Sequence, residues 1–170
     1  MYKVLKFGGS SIKTAKLIKN VTKIIKNEEK KYSIIVIVSA IGSITDKLNY
    51  LAKNINNPKL FINSFNNIKN FHQKIISNLG LVISENIISI FNELENEMTE
   101  NTDYNILQST DKITSYGERL SAHIIAEYLS SIGTKSKFFD SREVILTDNN
   151  FGNALVDLKN SYEKIKNYFN

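Results

Sequence analysis

The chain has 170 residues, with 22 Lys and Arg against 17 Asp and Glu, a formal net charge of +5 and a pI near 9.2. It has no cysteine, which excludes a disulfide framework and a thiolate zinc site. Its 42% hydrophobic and 23% charged residues suit one globular domain, no apolar run approaches ~18 residues, and the lysines are scattered over helix faces rather than gathered in a stripe, so neither a membrane span nor a nucleic-acid interface is expected. The chain opens directly on a strand pattern with no apolar signal segment, so a cytoplasmic location is the expectation.

Tyr2 to Phe7 alternates loosely and predicts a short strand. Gly8 and Gly9 break it, and Ser10 or Ser11 can cap a helix that follows. A strand, a glycine turn and a helix N-terminus in that order form an anion site, because glycine lets the backbone approach a phosphate and the first N–H groups point at it. Lys6 lies just before the glycines, at the carboxyl end of the strand, where α/β sheets bind ligands. The same residues also suit a plain βα turn with a solvated lysine. Ile12 to Asn27 has apolar positions at Ile12, Ala15, Ile18, Val21, Thr22 and Ile25, a helical stripe. Tyr32 to Ala40 is a nearly unbroken β-branched run, read as a strand buried on both faces and parallel to the first.

Gly42 lies in a loop, after which Ser43 or Thr45 can cap a short helix through Leu51. Asn54 to Lys59, with the only proline, marks a break. Leu60 to Leu79 and Val82 to Met98 read as two amphipathic helices joined at Gly80, an inserted helical hairpin. Phe61 to Phe71 reads as a helix core face rather than a base-stacking platform. Thr99 to Asn105 is a polar linker, and Ile106 to Ile132 a long helix with its stripe at Ile113, Gly117, Leu120, Ile124 and Tyr128, ended by Gly133. Ser136 to Phe139 and Glu143 to Thr147 read as short strands, and Val156 to Phe169 as a last helix. His72 and His123 lack any partner at metal-ligand spacing and read as core or solvated side chains.

Three stretches put polar residues directly after buried segments. Lys6 to Ser11 is the first. Ser39-Ala40-Ile41-Gly42-Ser43-Ile44-Thr45-Asp46 is the second, with hydroxyls able to hold a small anion or merely to cap a helix. Ser115 to Ala122 is the third: glycine within a helix costs ~1 kcal/mol relative to alanine, so Gly117 calls for a packing or ligand reason. Glu118 and Arg119 flank the apolar stripe there, one able to face the sheet edge and the other solvent.

Together these stretches resemble the N-terminal part of aspartate kinases. VLKFGGSS at Val4–Ser11 is similar to the family's VxKFGGTS opening, and VSAIGSITDKL at Val38–Leu48 to its VSAxxxxTDxL segment. SYGERLSA at Ser115–Ala122 is similar to its GERLSA-type element, and Phe139 to Asp148 with Phe151 and Gly152 to a DARxxIxTDxxFG segment. Four ordered segments are far more specific than one. The form of the last two most resembles bifunctional aspartokinase/homoserine dehydrogenases.

The resemblance implies an α/β fold of the amino-acid-kinase type, a three-layer αβα sandwich with a mostly parallel sheet, of which residues 1–170 are the N-terminal, aspartate-binding part. It implies transfer of a phosphoryl group from ATP, with Mg2+, to the side-chain carboxylate of L-aspartate, the first step toward lysine, threonine and methionine. Lys6 matches the lysine at the transferring phosphoryl group, and Gly8, Gly9 and Ser10 the phosphate turn. Thr45 and Glu118 match residues that hold aspartate, with Ser39 a second hydroxyl contact. Arg142 and Asp148 match family positions without an assigned catalytic role. The nucleotide-base half and the regulatory domains usual in the family lie outside these 170 residues. No turnover by the chain alone, and association with itself or with that other half, are therefore expected. Another amino-acid-kinase relative acting on a carbamate, glutamate or nucleotide, and a non-catalytic partner-binding or regulatory module, are the alternatives.

Overall fold

A computed structural model describes residues 1–100 and 105–169. The chain forms two compact units, Met1–Phe138 and Phe139–Asn170.

In the first unit, strands β1 (Tyr2–Phe7) and β2 (Ser33–Val38) pair in parallel, with Val4 opposite Ile35 and Phe7 opposite Val38. Helix α1 (Ala15–Glu28) makes the crossover between them, the expected βαβ unit. Leu5, Phe7, Ile34, Val36 and Val38 pack against the helical core. The opposite face is open: Tyr2, Val4 and Ile37 are 57%, 56% and 48% exposed. The expectation that β2 is buried on both faces is thus corrected. A β-branched run signals a sheet with cover on each side, and the described residues cover one.

Helix α1 buries Ala15, Ile18, Val21, Thr22 and Ile25, the predicted stripe with Ile12 just ahead of it. It does not begin at Ser10 or Ser11. Gly9–Ile12 forms a short 3-10 turn, and Thr14 caps α1 by accepting from Leu17 N. Helix α2 (Ile44–Lys53) follows a loop, and Asn57 with Pro58 starts α3 (Pro58–Leu79). Gly80, at φ 79°, closes α3: its N–H bonds to Ser77 O and that of Leu81 to Ile76 O. Helix α4 (Glu85–Glu100) completes the hairpin. The linker expected over Thr99–Asn105 falls mainly on 101–104, outside the described residues, and Thr99 still belongs to α4. Asn105 and Gln108 form a reciprocal cap on α5 (Ile106–Ser131).

The second unit contains a 3-10 turn (Ser141–Glu143) and α6 (Leu158–Phe169), with one isolated antiparallel bridge between Thr147 and Val156. Neither Ser136–Phe139 nor Glu143–Thr147 forms a strand; in the second of these, turn bonds to Asp140 O and Ser141 O and the Ser161 hydroxyl take the N–H groups of Glu143 to Leu146. Ser136 Oγ donates back to Ala126 O on α5, and Asp140 accepts from Arg142 N to start the turn. Asp148 Oδ1 accepts from Asn150 N and Leu155 N, so this carboxylate closes the loop. The Arg142 guanidinium is paired with Asp140.

The core of the first unit runs through all five of its helices. Phe61, Phe65 and Ile68 are buried, as expected for a core face, and His72 is 0% exposed beside them. Its Nδ1 lies 2.8 Å from Ile68 O, an acceptor, so Nδ1 carries the proton. Nε2 has no hydrogen-bond partner, and the rings of Phe71 and Phe91 meet the imidazole edge to face. Burial, and secondarily the charge of Lys47, lowers the His72 pKa from 6.5 to about 4, against the opposing bond to Ile68. The unfolded chain therefore binds a proton that the folded chain refuses. The stability that His72 contributes in its neutral form is fully present above about pH 6.5 and is lost as pH drops toward about 4, about 3 kcal/mol in all. In urea titrations from pH 7 to pH 4, wild type should lose about that much more unfolding free energy than His72→Leu does.

Candidate functional site

Ala40, just past the end of β2, is the point on which the three conspicuous stretches meet. A Cβ on Gly9 would stand 2.5 Å from Ala40 O, and one on Gly117 would stand 2.8 Å from Ala40 Cβ and 2.9 Å from Leu48 Cδ1. Both approaches are closer than any side chain permits, so the two glycines have a packing reason. Ala40 N donates to Glu118 Oε1 at 3.2 Å, and Ser121 Oγ donates to Ser39 O at 2.8 Å. Gly42 N donates to Gly9 O at 3.1 Å, and Ser39 N to Phe7 O at 3.2 Å. The carboxyl ends of β1 and β2, the loop into α2 and the middle of α5 are therefore stitched together, at the edge where an α/β sheet takes its ligand.

Of the expected site residues, Gly9 and Glu118 each contact Ala40, and Ser39 is the residue joined to it by the preceding peptide. Lys6, the last but one residue of β1, has an exposed side chain that forms no ion pair among the described residues, and Gly8 and Ser10 beyond it are exposed too. Around Gly8 there is open space: a Cβ there would meet nothing within 4 Å. Thr45 is inside the first turn of α2 rather than at its cap; Ser43 holds the cap position but makes no side-chain cap bond. Neither expected cap forms, and the Thr45 hydroxyl bonds to nothing among the described residues, so the N-terminus of α2 keeps donors for an anion. By contrast, the helix dipole expected behind Ser10 is absent, since α1 begins later and Thr14 caps it.

Arg119 departs from the expectation of a solvated charge. It pairs with Glu93 on α4 at 2.8 Å and lies over the Tyr116 ring. One turn earlier, Tyr116 donates to Glu97 Oε1 at 2.6 Å, and Lys112 stands 3.1 Å from the same oxygen. Burial first, then the bond to the 2% exposed Glu97, pushes the Tyr116 hydroxyl pKa up. These contacts fasten the hairpin to the turn of α5 that carries Gly117 and Glu118. Ser121 and the Ala40 N–H were not singled out by sequence. A backbone donor has no residue signature, and a buried helical serine looks like any other small core residue. His72 is a core side chain, His123 stacks on Phe138, and the described residues contain no cluster of three or more His, Cys, Asp or Glu able to hold a metal.

The parallel βαβ opening and its glycine-lined edge fall within a known class. The model of the amino acid kinase family matches residues 1–170, and the chain belongs to that family. Within it, the chain is similar to the N-terminal part of aspartokinases. It is 32% identical over 155 residues to an aspartokinase of Chlamydia trachomatis, covering 91% of this chain and 34% of that one. Aspartokinase 3, chloroplastic, of Arabidopsis thaliana is 32% identical over 164 residues, covering 89% of this chain and 28% of that one. The crystal structure of E. coli aspartokinase III in complex with aspartate and ADP superposes with a TM-score of 0.85 at 25% identity, over 98% of this chain and 37% of that one. The Clostridium acetobutylicum aspartate kinase superposes with a TM-score of 0.78 at 30% identity, over 99% of this chain and 36% of that one. The chain thus spans about a third of the length of the curated relatives it matches. No helix among the described residues is long and apolar enough to cross a membrane.

The two turn glycines separate packing from ligand reasons. Gly9→Ala drives a methyl into a backbone carbonyl that cannot swing away, and should destabilise the chain by about 1–3 kcal/mol. Gly8 has ordinary extended backbone, at φ −74°, and open space, so Gly8→Ala should leave stability within about 1 kcal/mol of wild type. Thermal unfolding of both variants checks this.

Proposed function

We propose that this chain is the aspartate-binding part of an aspartokinase, which transfers a phosphoryl group from ATP to the side-chain carboxylate of L-aspartate. The observation that carries the reading is the Glu118 carboxylate tied to the Ala40 N–H, at the sheet edge shared with the glycine turn. Glu118 offers a negative charge to the substrate's α-ammonium group, and the Thr45 and Ser39 hydroxyls donate to its carboxylate oxygens. Lys6 and the backbone of Gly8, Gly9 and Ser10 receive the phosphate oxygens. The open space at Gly8, with no intramolecular reason for a glycine, supports a group of that size approaching the backbone. ATP supplies the phosphoryl group. A carboxylate oxygen of aspartate forms the new bond to phosphorus as the bond to ADP breaks, so the protein needs no nucleophile of its own. Its work is to position the reactants and to stabilise charge on the phosphoryl oxygens, for which a lysine and N–H donors suffice. Mg2+ fits this reading as an ion held mainly by the nucleotide phosphates, as is usual for Mg2+ in phosphoryl transfer.

The opened face of β1 and β2, with Tyr2, Val4 and Ile37 exposed, supports association with further chain or with a second copy. Residues 1–170 alone are proposed to bind aspartate without turning it over, because they span about a third of the relatives' length.

Calorimetric titration of the 170-residue chain with L-aspartate, and separately with Mg-ATP, tests the reading. Glu118→Gln keeps an acceptor for Ala40 N–H but removes the charge. It should weaken aspartate binding ten- to a hundred-fold, about 1.5–3 kcal/mol, and leave thermal stability nearly unchanged. In a complete enzyme Lys6→Ala should mainly lower kcat, since its charge interacts most with the developing phosphoryl charge. Equal aspartate affinity in wild type and Glu118→Gln would sink the assignment.

A further inference from the structure

One peptide group in this site is gripped at both polar ends by the same turn of helix. The peptide joining Ser39 to Ala40 donates through its N–H to Glu118 Oε1 at 3.2 Å and accepts through its C=O from Ser121 Oγ at 2.8 Å. Glu118 and Ser121 are three residues apart on α5, so both side chains rise from one face. Ser121 is 0% exposed, and water cannot replace its hydroxyl. A buried helical serine ordinarily bonds back to the carbonyl one turn earlier, here Glu118 O at 2.9 Å. The hydroxyl has one proton, shared between that carbonyl and Ser39 O, the shorter contact at 2.8 Å, which lies across the fold, 82 residues away in sequence.

A peptide plane bonded at one end can still swing about that bond; bonded at both ends, its orientation is set. That orientation decides where the Glu118 carboxylate rests, because Oε1 is tied to the N–H of the same plane. The following carbonyl, Ala40 O, is the atom against which Gly9 packs. We propose that Ser121 is a positioning residue of the site: by fixing the Ser39–Ala40 peptide it orients Glu118, so that the second carboxylate oxygen is presented to the ammonium group of an amino-acid ligand. The ligand half of this proposal rests on the aspartate reading above; the clamp itself rests only on the contacts.

The test follows the Ala40 amide by NMR in the 170-residue chain. In Ser121→Ala the Ala40 amide should exchange with solvent at least ten-fold faster and shift, while amides in the middle of α5 keep their protection. Aspartate affinity by calorimetry should fall about ten-fold. Ser121→Cys, near in volume and a weaker donor, should fall between Ser121→Ala and wild type in both readouts, and it stands in for Ser121→Ala if that variant does not fold. Unchanged Ala40 exchange overturns the clamp, and so does equal acceleration of every α5 amide, which is the mark of a purely structural serine. Faster Ala40 exchange with unchanged aspartate affinity overturns the positioning role. Wild-type chain that protects Ala40 but binds no aspartate rejects the aspartate reading while the clamp stands.

Discussion

Ala40 lies between two glycines, and the closeness of that contact governs the rest of the first unit. Gly9 brings the turn after β1 against the Ala40 carbonyl, and Gly117 lets α5 come against the Ala40 methyl group and Leu48. A side chain at either glycine would have to push its neighbour aside. With both absent, a long helix reaches the carboxyl edge of a two-stranded sheet and lends it a carboxylate and a hydroxyl at hydrogen-bonding distance. The close approach thus has an energetic side, dense packing around Leu48, Ile44 and Leu120, and a chemical side, the placement of Glu118.

The helical hairpin belongs to the same account. Glu93 and Glu97 of α4 meet Arg119, Lys112 and Tyr116 along one side of α5, at steps of three and four residues. The burial of the Glu97 carboxylate is offset at Oε1, which a phenol and an ammonium group share. These polar contacts specify the axial register of α5 against α4 in a way that the apolar stripe alone does not, since leucine and isoleucine pack acceptably over a range of small shifts. Register is what puts Gly117 opposite Ala40.

The proposed phosphoryl transfer to a carboxylate suits such a scaffold. In that proposal the reacting atoms belong to the two substrates, and the protein's part is geometry: donors at the phosphate, a negative charge at the ammonium, hydroxyls at the carboxylate. Backbone groups and short side chains at a rigid sheet edge do this better than long mobile ones. In the described residues the edge combines the Gly8–Ser10 turn, the uncapped start of α2 and the clamped peptide before it.

Periodicity alone determined α1, α3, α4 and α5, because each carries a full apolar stripe whose spacing does not depend on what it meets. It determined the parallel pairing of β1 with β2 as well, since a strand, an amphipathic helix and a second strand have one common connection. The stretches at Lys6, Ser39 and Ser115 were also legible, as polar residues placed straight after buried runs. Tertiary structure decided the remainder. Whether β2 is covered on one face or two depends on what else packs there, and its residues read the same in either case. Ser136–Phe139 and Glu143–Thr147 carry strand-like composition, but neither is a strand, and in the latter local turn bonds and the Ser161 hydroxyl took the N–H groups. The first helix begins at a threonine rather than a serine because the intervening residues form a 3-10 turn beneath Ala40. Above all, the bond from Glu118 to Ala40 N spans 78 residues. A sequence shows which side chain can accept, but only the fold brings a particular backbone donor to it.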